Sequence, residues 1–346
     1  MTTNVAVTGV GAICAAGHGI ERLYDAVMSG EVTGASSEWA QQVPPGQPLG
    51  AIDGFDPAEW VRIRGFRPLS RASRLAVVAG VAAIGFPDAR DAESSLTGVV
   101  VGSRRGSLES IVEFNRDEFV EGPAMVNPAR FPNVVANVHA GYLGIFLGLA
   151  GPNLTLCGGA SGLEAIGQAV DTLRLGRAER MLAGGVEALG EALLRGYAQS
   201  GAFDRGVVPG EGAAFVALEA NPDASVPVLA EIAGHAIVTA HRAESAPDAR
   251  NRAIRRALDK VGLPASEVRS LWLAGEVASA FLPPVDLSHA PVHSIRWTAG
   301  DCEAADGAFD AALAVHHVSL HREPALVLNA PPVGNQVAVM VVPPGG

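Results

Sequence analysis

Charge is scarce in this chain, and so is sulfur. Of 346 residues, only 18% are Asp, Glu, Lys or Arg, and the formal net charge is −11. No long basic run is present. Nucleic acids and anionic membranes are held by clustered Lys and Arg, so both are excluded as favoured partners. Three cysteines, Cys14, Cys157 and Cys302, are too few and too scattered for a disulfide framework and suit a reducing compartment. No apolar run is long enough to cross a bilayer. The opening MTTNVAVTGVG lacks the charged, apolar and cleavage regions of a signal peptide. The expectation is a soluble, cytoplasmic protein.

Small and apolar residues are what the chain has in quantity. It is 48% hydrophobic, with 41 Gly and 23 Pro. That composition suits a tightly packed globule with many short turns, built as one large domain or two packed halves.

In order, NVAVTGVGAICAAG reads as a buried strand followed by a Gly-rich turn. The glycine spacing and the absence of a ribose-binding acid argue against a dinucleotide loop. GIERLYDAVMSG reads as a helix stopped by Gly30. Residues 31–70 are rich in loops. SRASRLAVVAGVAAIGF is a helix and LTGVVVGSRRG a buried strand. SLESIVEFNRDEFVEG is an amphipathic helix with Leu108, Ile111, Val112 and Phe119 on or near one face. NPARFPNVVANVHAGYLGIFLGLAG gives a Pro-marked turn and a largely buried helix.

The segment from Gly151 to Leu189 is the centre of the chain. Leu154, Thr155 and Leu156 form a short strand. Gly158 to Gly162 form a turn of small residues, and Leu163, Ile166, Ala169, Val170 and Leu173 recur at helical spacing. MLAGGVEAL is the following buried strand. Enzymes set nucleophiles on such strand-to-helix turns, yet this turn holds no thiol. After FDRGVVPGEGAAFVALEA, a Gly-rich loop and strand, the order partly repeats. PVLAEIAGHAIVTA, SLWLAGE and VHSIRW read as strands. PDARNRAIRRALDKVG and DGAFDAALAVHHVSL read as helices, and ALVLNAPPVGNQVAVMVV as a terminal hairpin. This alternation argues for α/β architecture with a pseudo-repeat. A join near 221–227 divides it into residues 1–220 and 221–346, two halves of one compact unit.

VAVTGVGAICAAG, EGPAMVNPARFPNVVANVHAGYLGIFLGLAGPNLTL and FDRGVVPGEGAAFVALE together resemble the β-ketoacyl synthases, nearly end to end. The resemblance implies a thiolase-like fold with α/β halves layered αβαβα. It implies no cofactor and no metal. It also implies a cysteine on the turn, two histidines and a Gly-rich terminal loop that form the thioester and stabilise the enolate. Matching motif by motif, the cysteine position is Gly159 and the first histidine position is Gly275. Arg296 to Asp301 matches Lys-Ser-x-x-Gly-His, so Asp301 stands at the second histidine. The terminal loop is Asn329-Ala330-Pro331-Pro332-Val333-Gly334-Asn335, where two prolines fix φ and remove two N–H donors. No catalytic residue remains; Gly159, Gly275, Asp301 and Val333 are degenerate positions.

Such a chain resembles the chain length factor, or KSβ subunit, of type II polyketide systems. Its shortness resembles divergent members from polyene-forming, highly reducing systems. The resemblance implies an active ketosynthase as heterodimer partner and indirect contact with an acyl carrier protein and its acyl chain. It implies pocket or interface roles for Arg105, Leu108, Ile111, Val112, Asn127, Pro128, Ala129, Arg130, Phe131 and Asn133. The strand Leu154-Thr155-Leu156 would pair across the dimer axis. Aliphatic members of that set are equally explained as core. Arg104 and Arg105 could instead form a surface anion contact or an interface salt bridge. An alternative is a rearranged acyltransferase or decarboxylase using Cys157 or Asp301; the plainer reading of Cys157 is a small buried thiol. His139 reads as a core or interface residue. His316 and His317, adjacent on a helix, point to different sides and do not suit joint chelation.

Overall fold

The computed structural model of the chain describes residues 4–62, 65–84, 96–240, 244–275 and 287–345. The first part holds β1 (Val5–Cys14), β2 (Gly17–His18), α1 (Ile20–Ser29), α2 (Arg71–Ile84), β3 (Thr97–Ser103), α3 (Leu108–Glu121), α4 (Val138–Leu147), β4 (Asn153–Cys157), α5 (Ser161–Arg174), β5 (Arg180–Glu187), α6 (Glu191–Gln199) and β6 (Gly212–Glu219). The second part holds β7 (Ala230–Thr239), α7 (Ala246–Val261), β8 (Ser270–Ala274), β9 (Val292–His293), α8 (Arg296–Ala299), α9 (Asp306–His321), β10 (Ala325–Asn329) and β11 (Asn335–Val342).

The described strands form one sheet in the order β4-β3-β5-β6-β1-β7-β11-β10-β8-β9, with β2 folded onto β1. Each half has the same plan. From its outer edge it runs third, second, fourth, fifth and first in chain order. The pairing repeats too: β3 lies parallel to β4 and β5, as β8 does to β9 and β10. β6 and β11 then run antiparallel to both neighbours. The halves meet where Val5–Val7 of β1 pair with Ala230–Ile232 of β7.

The strands read as continuous apolar runs because helices cover both faces. Successive side chains enter different slabs of core. Val100, Trp272 and Val327 join Leu163 of α5 and Phe309 of α9 in the central slab. Val99 and Val101 face Leu75 of α2 and Leu143 of α4. Leu271, Leu273 and Leu326 face Ile254 of α7. The result is the layered αβαβα arrangement, with α5 and α9 in contact at its centre.

Three sequence readings change. β1 continues through Gly9 and Gly11 to Cys14 where a turn is expected. Both glycines lie under α2, and a Cβ at either would collide with the carbonyl oxygen of Ala83 or Ala79. They are there for close packing. In VHSIRW, only Val292–His293 is strand. Asp310 of α9 accepts the Ile295 N–H at 2.9 Å, and the chain curls into α8. Finally, α3 buries none of its residues, and Phe119 is 88% exposed. It lies on the surface against α6 and the 3₁₀ turn Pro128–Asn133, so among the described residues no second layer covers its apolar face. The expected helical continuation through Gly85 and Phe86 and strand continuation at Glu276 lie outside the described residues.

Candidate functional site

β4 delivers the chain to Gly158, Gly159 and Ala160, and α5 starts at Ser161. Gly162 lets that helix start close to α9, since a Cβ there would strike the Ala304 carbonyl. The Gly159 carbonyl accepts a hydrogen bond from Asn329 Nδ2 at 3.4 Å. A Cβ built on Gly159 would lie 3.3 Å from Pro331 Cβ. At the end of β8, Gly275 has φ +80°, and its Cβ would lie 3.3 Å from Asn329 Oδ1. Pro331 is buried, with its carbonyl held by Gln336 Nε2 at 2.9 Å. The fold therefore brings Gly159, Gly275, Asn329 and Pro331 together. None of the four offers a nucleophilic side chain or an imidazole, and Pro331 has no N–H to donate. Val333, in the same terminal loop, is exposed.

Asp301 belongs to a neighbouring ionic cluster. Its Oδ2 binds Arg296 at 2.7 Å and its Oδ1 accepts the Glu303 N–H at 3.0 Å. Both carboxylate oxygens are engaged, which leaves this group poorly placed to act as a base. Glu303 has φ +47°, a left-handed conformation that costs a non-glycine residue about 1 kcal/mol or more. Its carboxylate pairs with Arg105, accepts from Tyr197 Oη at 3.3 Å and lies 3.6 Å from Arg104. Arg105 also donates to Tyr197 Oη at 2.7 Å and lies over that ring. Arg105 thus turns inward onto this carboxylate, which corrects the surface reading for it, while Arg104, 59% exposed at its side chain, stays at the rim of the cluster.

Glu187, at the end of β5, is buried behind them. It accepts hydrogen bonds from the Arg104 N–H and from Ser103 Oγ. Burial, reinforced by the Glu303 charge, pushes its carboxyl up to about 8. Burial would lower the Arg105 guanidinium, but the facing Glu303 outweighs it and the net shift is upward. Asp306 and Asp310, buried on α9, are also raised well above the usual carboxylate range, chiefly by burial. Sequence reading missed Glu187, Tyr197 and Glu303. Glu187 had a signal, as the single acid in the apolar run MLAGGVEAL; Glu303 had none.

The carried-over pocket residues separate into distinct surroundings. Arg105 and Leu108 line a cavity of about 40 Å³ with Ser107, Glu187 and Leu193. That space suits a water molecule and not an acyl chain. Asn127, Ala129, Arg130 and Asn133 line an open groove of about 580 Å³. Asn127 caps the 3₁₀ turn by accepting the Ala129 N–H at 3.0 Å, with Pro128 fixing its first position. Arg130 pairs with Asp117, and Phe131 packs edge-on against Phe114. Asn133 is buried, donating to the Pro68 carbonyl and accepting from Tyr142. Ile111 and Val112 are solvent-exposed, so a core role for them does not hold.

β4 is an outer strand of the sheet formed by the described residues, and Leu154 is 39% exposed. Ile145, on the adjacent α4, is 75% exposed. Cys157 at the end of β4 is exposed, contrary to the buried-thiol reading, because among the described residues no further strand covers that edge. His139 is buried between Ser73 Oγ, 2.9 Å away, and the Gly106 carbonyl at 3.1 Å. Burial lowers it to about 4 and keeps it neutral. Among the described residues, no helix is long and apolar enough to cross a membrane.

A family profile described as Beta-ketoacyl synthase, N-terminal domain, matches residues 2–224. The 3-oxoacyl-(acyl-carrier-protein) synthase 2 of Staphylococcus aureus strain N315 is 26% identical over 298 residues, covering 77% of this chain and 71% of that protein. The Vibrio cholerae serotype O1 protein of the same name is 29% identical over 198 residues, covering 53% of this chain and only 45% of its own length. Among solved structures, the ishigamide ketosynthase/chain length factor superposes with a TM-score of 0.84 at 27% identity, covering 99% of this chain and 100% of that one. A β-ketoacyl synthase from Burkholderia phymatum STM815 shares the fold, with a TM-score of 0.82 at 21% identity and coverage of 99% and 100%. The repeated strand order, the layered core and these matches lead to one conclusion: the chain belongs to the β-ketoacyl synthase family.

Proposed function

We propose that this chain is a non-catalytic chain length factor that pairs with an active ketosynthase and shapes the pocket in which a polyketide or polyene grows. The observation that carries the reading is the packing of Gly159 against Pro331, with Gly275 against Asn329. At the point where the family's chemistry needs a thiol and an imidazole, this chain has neither. The uncovered edge of β4 and the exposed Ile111, Val112, Phe119, Phe131 and Ile145 supply apolar surface for a partner subunit. The likeness to the ishigamide ketosynthase/chain length factor supports the same role. In this reading Ile111 and Val112, with the segment 127–133 beside its open groove, border the growing chain, while Arg105 and Leu108 hold the structure behind them. The acyl carrier protein is met through the ketosynthase. Residues 1–220 and 221–346 act as two halves of one compact unit.

Co-expression with a complete ketosynthase tests this. A stable heterodimer, in which changes at Ile111 or Val112 alter product length, is expected. A soluble monomer with no affinity for any ketosynthase overturns the reading. A second reading rests on the exposure of Cys157, which leaves a thiol open to acylation. Incubating the isolated chain with acyl donors and mapping its peptides by mass decides between them. A labelled Cys157 favours an acyltransferase.

A further inference from the structure

Far from the degenerate centre, α1 meets the end of α9 through a cluster of aromatic and imidazole rings. The Tyr24 hydroxyl lies 2.8 Å from His317 Nδ1 and 3.2 Å from His321 Nε2. His317 and His321 stand four residues apart on α9, one turn above the other, and their ring centroids are 4.4 Å apart. His316 packs edge-on against Tyr24 at 5.0 Å. The ring of His293 lies 6.1 Å from that of His317, and Trp272 covers His317 at 5.8 Å.

From this geometry we infer a binding site for a late first-row divalent cation of the Zn²⁺ type, formed by Tyr24 Oη, His317 Nδ1 and His321 Nε2. A tetrahedral ion with bonds of about 2.0–2.1 Å separates its ligand atoms by about 3.3 Å. The two distances from Tyr24 Oη already approach that spacing, so small side-chain movements suffice. Neutral imidazole and a phenolic oxygen are borderline ligands that suit Zn²⁺, Ni²⁺ or Cu²⁺ and not Mg²⁺. The carboxylates of Glu21 and Asp25 on α1 act on the neighbouring His316 and add negative potential beside the site. Solvent, or a further ligand, completes the coordination on the side of exposed His321.

The ion takes the place of the phenolic proton of Tyr24, and each binding event releases that proton to solvent. The bound ion ties α1, in the first half, to α9, in the second. No helix-adjacent pair is needed: the useful spacing is His317 with His321, not His316 with His317. The site is independent of the acyl pocket and of the chain length factor reading.

The full chain, treated with EDTA and dialysed, is titrated with ZnCl₂ by calorimetry in two buffers of different ionisation enthalpy. One ion per chain, release of about one proton and a raised melting temperature are expected, with MgCl₂ inert. Co²⁺ in place of Zn²⁺ develops a visible absorption band of a four-coordinate site. His321→Ala, on the exposed side, weakens binding at least about tenfold by removing one ligand. Tyr24→Phe keeps the ring packing but abolishes the proton release. The inference is overturned if the wild-type chain binds no Zn²⁺, or if either variant binds it with wild-type affinity and proton release.

Discussion

Glu187→Gln isolates the electrostatic consequence of the buried cluster. In the fold, Glu187 holds its proton to about pH 8, against an ordinary glutamate value of 4.5. Between these values the folded chain binds a proton that the unfolded chain has released. Unfolding free energy therefore falls as pH rises through that window. At about 1.4 kcal/mol per pH unit, the full window corresponds to about 5 kcal/mol, an upper figure because the cluster can rearrange. Glutamine matches the shape of the neutral acid and still accepts the Arg104 N–H. The variant should equal the native chain near pH 5 and exceed it by several kcal/mol near pH 8. Asp306 and Asp310 tilt both profiles alike, so the difference between the two reports Glu187. Urea midpoints followed by tryptophan fluorescence at pH 5, 6.5 and 8 make the comparison. Parallel profiles would refute the argument, since they would mean that Glu187 is ionised or solvated in the fold.

Three other outcomes follow from the same geometry. Arg105→Ala leaves Glu303, 8% exposed at its side chain, with Arg104 at 3.6 Å and the Tyr197 hydroxyl at 3.3 Å, and should cost about 2–4 kcal/mol. Adding Glu303→Ala should recover part of that loss, and a double-mutant cycle in urea measures the coupling. Gly159→Cys should stay unacylated when incubated with acyl donors, because its Cβ meets Pro331 at 3.3 Å and no imidazole stands at Gly275; a labelled residue 159 in peptide mass mapping counts against this. Leu154→Glu, at the free edge of β4, should change stability by no more than about 0.5 kcal/mol while abolishing co-purification with a ketosynthase. Retained co-purification would move the partner surface elsewhere.

Much of the layout was legible because periodicity reports burial. The strands β3, β5, β10 and β11 and the helices α2, α5, α7 and α9 carry their pattern in the sequence. Where the environment departed from the average, the reading failed. Gly9 and Gly11 look like turn residues, but they serve the approach of α2. Leu108, Ile111 and Val112 look like a core-facing stripe, but only Leu108 packs inward, against the cluster of Leu189, Leu193 and Leu194, while Ile111 and Val112 are exposed. The short α6 lay unmarked between stronger signals.

The same division holds at the site. Sequence alone shows that Gly159, Gly275 and Asp301 carry neither thiol nor imidazole, because that needs no geometry to be recognised. Only the tertiary structure decided what occupies the vacated space. It brings Pro331 against Gly159, turns Arg105 onto Glu303, and buries Glu187 behind that pair. These contacts join residues up to about two hundred positions apart, and no local pattern records them. It also sets Tyr24 beside His317 and His321, a juxtaposition that depends on where α1 and α9 cross.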